Sequence, residues 1–259
     1  MPEKWQQHPA WGQVPPLDLG TGKARIRRLV VVSAHPDDES LGVGGLITTA
    51  HRAGIDVYVV LLTAGEASHP PGREISRQAL ATERLAEMEA AVALLAPGAP
   101  VVFLGAPDGG AAEVEDQMVT ALTDIVGDGS HTLLVAPWRH DGHPDHDAAG
   151  RAAAEVATLT GARLVEYPLV MWRLRTPEEA PWDEMVRVDL PEDVLDTKLA
   201  AIRAHVTQVR ALSPEDPPAL SGPMLAHFTI PVEHLVVTAV PAGPDGGGLS
   251  DEDDLRQTV

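Results

Sequence analysis

The sequence predicts an α/β protein built on a doubly wound, mostly parallel sheet. Short β-branched apolar runs alternate with stretches of helical period, as where Arg28–Ala34 is followed by Leu41–Ala53. Strands that alternate with helices of this length favour a parallel sheet covered on both faces. Hydrophobic residues make up 44% of the 259 positions, which is enough for the core that such a Rossmann-like sheet needs.

The predicted elements follow one another in a regular order up to about residue 170. The pattern predicts strands over Arg28–Ala34, Asp56–Thr63, Val101–Leu104, His131–Ala136 and Arg163–Tyr167. It predicts helices over Leu41–Ala53, Ile75–Leu95, Glu113–Val126 and Asp147–Leu159. Beyond Met171 we expect a C-terminal elaboration with a strand near Glu184–Leu190, a helix over Leu195–Leu212 and a strand around His234–Val240.

Composition divides the chain into three parts. Residues 1–25 are rich in Pro, Gly and Gln, and we expect them to form an extended arm. Residues 26–241 contain the single α/β domain. Residues 242–259 have glycines and acids but few apolar side chains, so we expect a disordered acidic tail.

Charge and composition exclude several classes of partner and site. The 38 acidic residues outnumber the 19 lysines and arginines, and the formal net charge is −19. This balance disfavours nucleic acid and anionic membranes, because clustered basic residues bind both. No apolar stretch approaches the roughly 20 residues of a membrane-spanning helix, and no apolar signal region is present, so we expect a cytoplasmic protein. Because the chain has no cysteine, any metal must be bound by histidines and carboxylates.

Two segments rich in reactive side chains come directly after predicted strands. His35–Glu39 (HPDDE) follows the first strand, and Trp138–His146 (WRHDGHPDH) follows the fourth. In open α/β sheets, ligands bind at the carboxyl ends of the strands, so we expect both segments at the functional site. Three consecutive carboxylates beside a histidine repel one another unless a cation lies among them.

Two histidines and one carboxylate form the ligand set that leaves a catalytic metal an open position. His35, Asp38 and His146 can supply this set, which leaves Asp37 free to accept a proton from a metal-activated water. Zinc is the expected metal, at one ion per chain, and Fe²⁺ is compatible with the same ligands. Either segment alone would more often be a surface turn, but the pair at the ends of two strands favours a metal site.

Two other kinds of site fit the sequence less well. Gly42–Gly45 lies between a strand and a helix, but its spacing is not G-x-G-x-x-G, and carboxylates occupy the turn where a pyrophosphate would lie. No G-x-S-x-G sequence is present, which excludes the nucleophile elbow of the serine hydrolases.

The two polar segments lie in longer motifs, AHPDDES-LGVGG and, about a hundred residues later, DGHPDHDAAGRAA. These motifs resemble those of the PIG-L/LmbE family of zinc-dependent N-deacetylases, and the resemblance spans roughly residues 28–210. It implies the LmbE-like deacetylase fold. Because members act on N-acetylglucosamine conjugates, it also implies a hydrolase that removes an N-acetyl or related N-acyl group from a small glycoconjugate.

The resemblance implies a role for each motif residue in turn. The ligand set just described would bind zinc, and Asp37 would take a proton from water as the general base. His143, in its protonated form, would stabilise the oxyanion or protonate the leaving amine. Asp141 would orient His143.

Four further residues are candidates for substrate contact, because the segments around them resemble family motifs. They are Arg84 in an R-x-x-E helix, Asp108 in an LGAPDG loop, Glu66 in LTAGE and His205 in a K-x-x-A-x-x-x-H-x-T-Q stretch. Each also has a structural alternative, such as a helix-face ion pair between Arg84 and Glu87 or a plain turn at Asp108.

Two other functions remain open on the sequence. An amide hydrolase of secondary metabolism would act on an N-acylated metabolite without a sugar, and a non-catalytic member would bind a sugar in the same pocket. The presence of Asp37 together with all three candidate ligands favours catalysis. A composition rich in Ala, with Arg outnumbering Lys, points to a bacterial source, and homo-oligomerisation is left open.

Overall fold

A seven-stranded sheet forms the centre of the computed structural model, which describes residues 2–20, 25–68, 75–211, 218–220 and 222–237. Its strands are β1 (Arg28–Ser33), β2 (Asp56–Leu61), β3 (Val101–Phe103), β4 (Thr132–Pro137), β5 (Arg163–Tyr167), β6 (Met185–Asp189) and β7 (Val232–Val236). They lie in the order β3-β2-β1-β4-β5-β7-β6.

The strand order creates a site for ligands between β1 and β4. Neighbouring strands from β3 to β5 are parallel, as the sequence predicts. β7 pairs antiparallel with β5 and with β6, so the C-terminal elaboration extends the same sheet. Chain order proceeds outward from β1 to β3 in one direction and from β4 to β5 in the other. Ligands bind at the carboxyl ends of the strands at such a topological switch point.

Helices cover both faces of the sheet. They are α1 (Pro2–Gln6), α2 (Asp38–Arg52), α3 (Arg77–Leu95), α4 (Glu115–Val126), α5 (Pro144–Thr160), α6 (Met171–Leu174), α7 (Glu192–Ala204), α8 (Val206–Val209) and α9 (Gly222–Phe228). One core contains Val31 of β1 with residues of α2, α3 and α7, and the other contains Val32 with residues of α4 and α5. Successive β1 side chains thus face opposite cores, which confirms the doubly wound, mostly parallel sheet.

The helices after β1 and β4 begin earlier than the sequence predicts. α2 begins at Asp38 and α5 at Pro144, so both start inside the polar segments. Pro144 is well suited to the first position of a helix, and the His143 side chain accepts the backbone N–H of Asp145 there. The helix starts therefore hold the reactive side chains at the carboxyl edge of the sheet.

Both ends of the chain differ from the prediction. The helix predicted over residues 195–212 is two helices, because α7 ends at Ala204 and His205 separates it from α8. The N-terminal arm is not simply extended, since α1 lies within it and buried Trp5 donates from Nε1 to the carbonyl oxygen of Trp172 at 3.0 Å. The expected acidic tail over 242–259 lies outside the described residues. Within the described ranges, every helix falls short of the length and apolarity needed to cross a membrane.

The glycines that follow the first polar segment allow α2 to pack closely on its neighbours. A Cβ atom at Gly42 would lie 2.4 Å from Cδ2 of Tyr167, and one at Gly45 would lie 2.2 Å from Cδ2 of Leu190. Tyr167 is fully buried, and its hydroxyl donates to the carbonyl oxygen of Val32 at 2.7 Å. Close packing beneath the site therefore accounts for these glycines without a bound dinucleotide.

Candidate metal centre and active site

The turn after β1 holds Asp37 in an unusual backbone conformation. Its φ is 113°, and within the described chain it is the one non-glycine residue with positive φ. Such a conformation is costly for an L-residue and persists where the surroundings hold it, most often at functional sites. Gln208 supplies part of this support, because its Nε2 donates to the carbonyl oxygen of Pro36 at 2.6 Å and to the Asp37 carboxylate.

His35, Asp38 and His146 meet where the sequence predicts a metal site. Nε2 of His146 lies 3.5 Å from Oδ1 of Asp38, and Nδ1 of His35 lies 3.7 Å from Oδ2 of Asp38. His143 is also near, since ring nitrogens of the three histidines lie within 4.8 Å of one another. Imidazole nitrogens and a carboxylate oxygen at this spacing fit a divalent cation such as zinc.

A carboxylate orients each of the two candidate ligand histidines, His35 and His146. Nδ1 of His146 donates to Asp141 at 2.6 Å, and Nε2 of His35 donates to Asp145 at 3.0 Å. These bonds leave the other nitrogen of each ring facing Asp38 and fix the tautomer that a metal ligand needs. His35, Asp108 and Asp145 form a second group of possible metal ligands. Both carboxylates lie near Nε2 of His35, at 3.3 Å and 3.0 Å, so we assign them to orientation of the ring.

Asp141 is itself fixed by the segment after β5. Three consecutive backbone N–H groups, at 169–171, each donate to its carboxylate at 2.9 Å. Asp141 is fully buried, and its histidine partner is His146. The prediction that Asp141 orients His143 is therefore wrong, because the start of α5 turns the His146 ring towards it instead.

Asp145 has a role that its sequence context did not single out. Besides His35, its carboxylate accepts the backbone N–H groups of Gly109 at 2.8 Å and Ala111 at 3.1 Å. It therefore joins the first turn of α5 to the loop after β3 and to a metal-ligand candidate. Its position between the two histidines of HPDH was the one signal for this role in the sequence.

His143 lines the cavity, and its ring accepts a backbone hydrogen bond. Its Nδ1 accepts the backbone N–H of Asp145 at 3.2 Å, which leaves the proton of the neutral ring on Nε2. Burial lowers the pKa of His143, and the nearby His146 and His35 lower it further. The acceptor role of Nδ1 and the lowered pKa favour a neutral ring over the protonated form that the sequence predicts.

The electric field of the site favours a positive charge between the histidines. Burial opposes protonation of His35, yet the neighbouring carboxylates, Asp108 first among them, raise its pKa to about 9. Against the same effect of burial, Asp38 and other carboxylates raise the pKa of His146 to about 10. Burial also raises the pKa of Asp37 to about 7, and the adjacent carboxylate adds to this shift.

Arg84 and Asp108 lie on the wall of the cavity, which has a volume of about 370 Å³. Nη1 of Arg84 donates to the carbonyl oxygen of Gly65 at 2.7 Å. Asp108 accepts the backbone N–H of Ala67 at 2.6 Å and lies 3.3 Å from Nε2 of His35. Both side chains are therefore held beside the metal centre, and contact with a substrate remains a prediction.

The other two substrate candidates, Glu66 and His205, are not among the residues that line the cavity. Glu66 accepts the backbone N–H of Asp108 at 3.2 Å and so braces the loop, and it is not among the lining residues. His205 is fully buried, with Nε2 at 3.0 Å from the Ser40 hydroxyl and 3.1 Å from the Glu39 carboxylate. The full burial of His205 contradicts its predicted contact with the substrate and gives it a supporting role, whereas the contact predicted for Glu66 stays a prediction.

Comparison with known proteins identifies the family. The family model described as PIG-L: GlcNAc-PI de-N-acetylase matches residues 30–157, which include both polar segments. A 1D-myo-inositol 2-acetamido-2-deoxy-alpha-D-glucopyranoside deacetylase of Mycobacterium sp. (strain KMS) is 31% identical over 272 residues, covering 85% of this chain and 86% of that protein. The chain belongs to the PIG-L family.

Solved structures agree with this assignment at the level of the fold. The deacetylase of the A40926 pseudoaglycone superposes with a TM-score of 0.63 at 20% identity, covering 86% of this chain and 100% of that one. The N,N'-diacetylchitobiose deacetylase of Pyrococcus horikoshii has a TM-score of 0.55 at 23% identity, with 73% of each chain covered. The predicted LmbE-like deacetylase fold is confirmed, and the mycobacterial relative and both of these structures are named as deacetylases.

Proposed function

We propose that this protein is a metal-dependent amide hydrolase that removes the N-acetyl or a related N-acyl group from an N-acetylglucosamine-type conjugate. The observation that carries the proposal is the placement of Asp37, a buried carboxylate on strained backbone, beside His35, Asp38 and His146 at one cavity. The mycobacterial relative is a deacetylase of such a conjugate, which supports the same reaction here.

His35, Asp38 and His146 would hold the metal, with zinc proposed at one ion per chain and Fe²⁺ as the alternative. A divalent cation at this position supplies Lewis-acid activation of a water molecule and of the amide carbonyl. The protein contributes the fixed direction of both rings, since Asp141 and Asp145 hold the nitrogens that face away from the metal.

Asp37 is the proposed general base. The oxygen of water bonds to the amide carbonyl carbon while one of its protons passes to the Asp37 carboxylate. The Nε2–H group of His143 donates to the carbonyl oxygen as negative charge develops there. The C–N bond then breaks, and the products are a carboxylate and the free amine of the sugar.

The proton on the leaving amine comes from Asp37 in this account. The Nδ1 atom of His143 accepts a backbone N–H, so a neutral His143 that gave up its Nε2 proton would become an anion. Asp37 has just accepted a proton from water and can pass it to the amine nitrogen. Arg84 and Asp108, on the cavity wall, are the proposed contacts for sugar hydroxyls.

The test is release of acetate and amine from methyl N-acetylglucosaminide by zinc-loaded protein, with chelated and then zinc-restored protein as controls. We expect release that chelation abolishes and zinc restores. Absence of release from every N-acetylglucosaminide by fully loaded protein would contradict the proposal. Release from an N-acetyl amino acid alone would indicate a non-sugar amide hydrolase. Sugar binding without release would indicate a non-catalytic member.

A further inference from the structure

The cavity has two chemically different walls. One wall is polar and carries Gly65, Ser68, Arg84 and Asp108. The other wall is apolar and is formed by five side chains from three separate segments, namely Leu41, Leu169, Val170, Leu220 and Met224. A substrate that spans the cavity must therefore present a polar group to one side and an apolar group to the other.

The apolar wall is attached directly to the reacting centre. The backbone N–H of Leu41 donates to the carbonyl oxygen of the proposed base at 2.9 Å. The backbone N–H of Val170 donates at 2.9 Å to Asp141, which orients a metal ligand. The backbone N–H of Leu220 donates at 2.9 Å to the carbonyl oxygen of Gln208, which holds the base. These bonds join the backbone of the apolar wall to the residues that position the proposed base and a proposed metal ligand.

The polar wall lies next to His35. Asp108 is 3.3 Å from Nε2 of His35, and Arg84 is tied to the carbonyl oxygen of Gly65 at 2.7 Å. Sugar hydroxyls need donors and acceptors when they leave water, and this wall supplies them. The amino sugar is therefore placed against the polar wall.

The carbonyl carbon of an N-acyl amino sugar has the sugar nitrogen on one side and the acyl chain on the other. With the sugar on the polar wall, the acyl chain is the part of the substrate that remains for the apolar wall. We infer that this wall is an acyl-chain subsite and that the enzyme prefers an N-acyl group longer than acetyl. The inference rests on the proposed function and deepens it.

The size of the wall supports a chain longer than acetyl. Leu41 and Leu169 are 2% exposed and Leu220 is 5% exposed, so the inner part of the wall is rigidly packed. Met224, on α9, extends it further outward. The methyl group of an N-acetyl substrate is much smaller than a wall formed by five apolar side chains. The cavity of about 370 Å³ is within the roughly 300–1,000 Å³ typical of sites for drug-sized ligands.

The test compares methyl glucosaminides that carry N-acetyl, N-butanoyl and N-hexanoyl groups, with amine release as the common readout. Burial of each added methylene is worth about fourfold in binding, so we expect kcat/KM to rise at least about tenfold from acetyl to butanoyl. Equal or falling values along the series would overturn the inference while leaving the proposed deacylation intact. The octyl glycoside of N-acetylglucosamine separates the two ends of the substrate. A rise with octyl but not with butanoyl would assign the wall to the aglycone and overturn the acyl subsite.

A substitution in the apolar wall tests whether this wall causes the preference for the longer acyl group. Met224→Gln keeps the length of the side chain and adds a polar end, so we expect the butanoyl-to-acetyl ratio of kcat/KM to fall towards one. Leu225→Gln is the matched control, because Leu225 is the next residue of α9 and packs on the core as Met224 does, but it does not line the cavity. An unchanged ratio in Met224→Gln, or the same fall in both variants, would contradict the assignment.

Binding measurements test the acyl-chain subsite even if the protein hydrolyses none of the glucosaminides. Calorimetric titration of zinc-loaded Asp37→Asn protein with the N-acetyl and N-butanoyl glucosaminides measures the subsite without hydrolysis. We expect about tenfold tighter binding of the butanoyl compound, and equal affinities would overturn the inference. If the wild-type protein hydrolysed none of the series, the proposed function would be contradicted. The titration would still show whether the cavity binds the longer acyl group more tightly.

Discussion

The side-chain amide of Gln208 donates both to the carbonyl oxygen of Pro36 and to the carboxylate of Asp37, so one residue supports the backbone and the side chain of the proposed base. Gln208 is 4% exposed and lines the cavity, which places it between the base and the loop that follows α8. This contact accounts for the stability of the positive φ at Asp37 and for the direction of its carboxylate.

Replacing Gln208 should weaken catalysis more than substrate binding. Gln208→Met keeps the size of the side chain but removes the donor, so the Asp37 carboxylate is no longer held towards the reacting carbon. We expect kcat to fall by ~10²-fold, as for a catalytic group displaced by about 1 Å, with KM and metal content nearly unchanged. Steady-state kinetics and metal analysis check this result.

Thr207→Val is the matched control for Gln208→Met. It also removes a buried hydrogen bond of the same short helix, but that bond leads from the Thr207 hydroxyl to Glu87 at 2.8 Å and does not touch the base. We expect a near-normal kcat in the control. Equal losses in the two variants would show that Gln208 acts only through general stability.

Metal affinity should depend on the carboxylates behind the ligand histidines. Asp141→Asn and Asp145→Asn each weaken the acceptor that fixes one ring, and we expect a ~10–100-fold loss of zinc affinity in each. Competition with a chromophoric chelator measures the change. Asp147→Asn is the control, because Asp147 lies on α5 with Asp145 but accepts the backbone N–H of Gly142 and orients neither candidate ligand. Unaltered affinity in Asp141→Asn would refute this role.

Substitutions of His143 and His146 should have different effects on metal content, although both rings lie at the candidate metal centre. His143→Ala removes the donor to the carbonyl oxygen, and we expect a ~10²–10³-fold lower kcat with a full complement of metal. His146→Ala removes a ligand, so both metal and activity should be lost. Metal analysis of the two purified variants tests this prediction. Loss of zinc from His143→Ala alone would show that His143 is the ligand and that His146 is not.

The sequence predicts β1–β5 and the meeting of the two polar segments well, because buried parallel strands are continuous apolar runs and the switch point follows from their order. The partner of Asp141 could not be predicted in this way. His143 and His146 are both close to it along the chain, and the choice depends on ring directions set by the start of α5. His205 was misplaced because its stretch has helical spacing, whereas the helix ends there and turns the ring inward.

The sequence contained a signal for Gln208, because it is the last residue of the K-x-x-A-x-x-x-H-x-T-Q stretch that resembles a family motif. Spacing placed Gln208 and His205 on one helical face and gave no reason to separate them. The break between α7 and α8 brings Gln208 to the cavity and buries His205. Only the path of the backbone at this break distinguishes the two side chains.

Acid should destabilise the fold through two buried histidines outside the active site. Burial lowers the pKa of His227 to about 3 and that of His234 to about 4, and their rings stack near Trp172 and Trp11. Above about pH 6.5 both are neutral in the folded and unfolded chain, so they add no pH dependence. Below it the unfolded chain binds protons first, and the free energy of unfolding should fall by up to about 1.4 kcal/mol per histidine per pH unit.

Denaturant unfolding at pH 7.5 and pH 5 measures this effect. In His227→Phe/His234→Phe the rings still stack but no longer titrate, so we expect a smaller loss of stability between the two pH values than in the wild-type protein. His140→Asn is the control, because His140 is exposed. A loss as large in the double variant as in the wild type would rule out these histidines as the cause.

The central claim is that Asp37 acts as the base beside a metal held by His35, Asp38 and His146, and the most direct measurement pairs kcat with metal content in Asp37→Asn. The substitution is nearly isosteric and leaves the three ligands in place. With methyl N-acetylglucosaminide as substrate, we expect one zinc per chain and a ~10²–10⁴-fold lower kcat than in the wild-type protein. Near-normal acetate release by fully metallated Asp37→Asn would contradict the account.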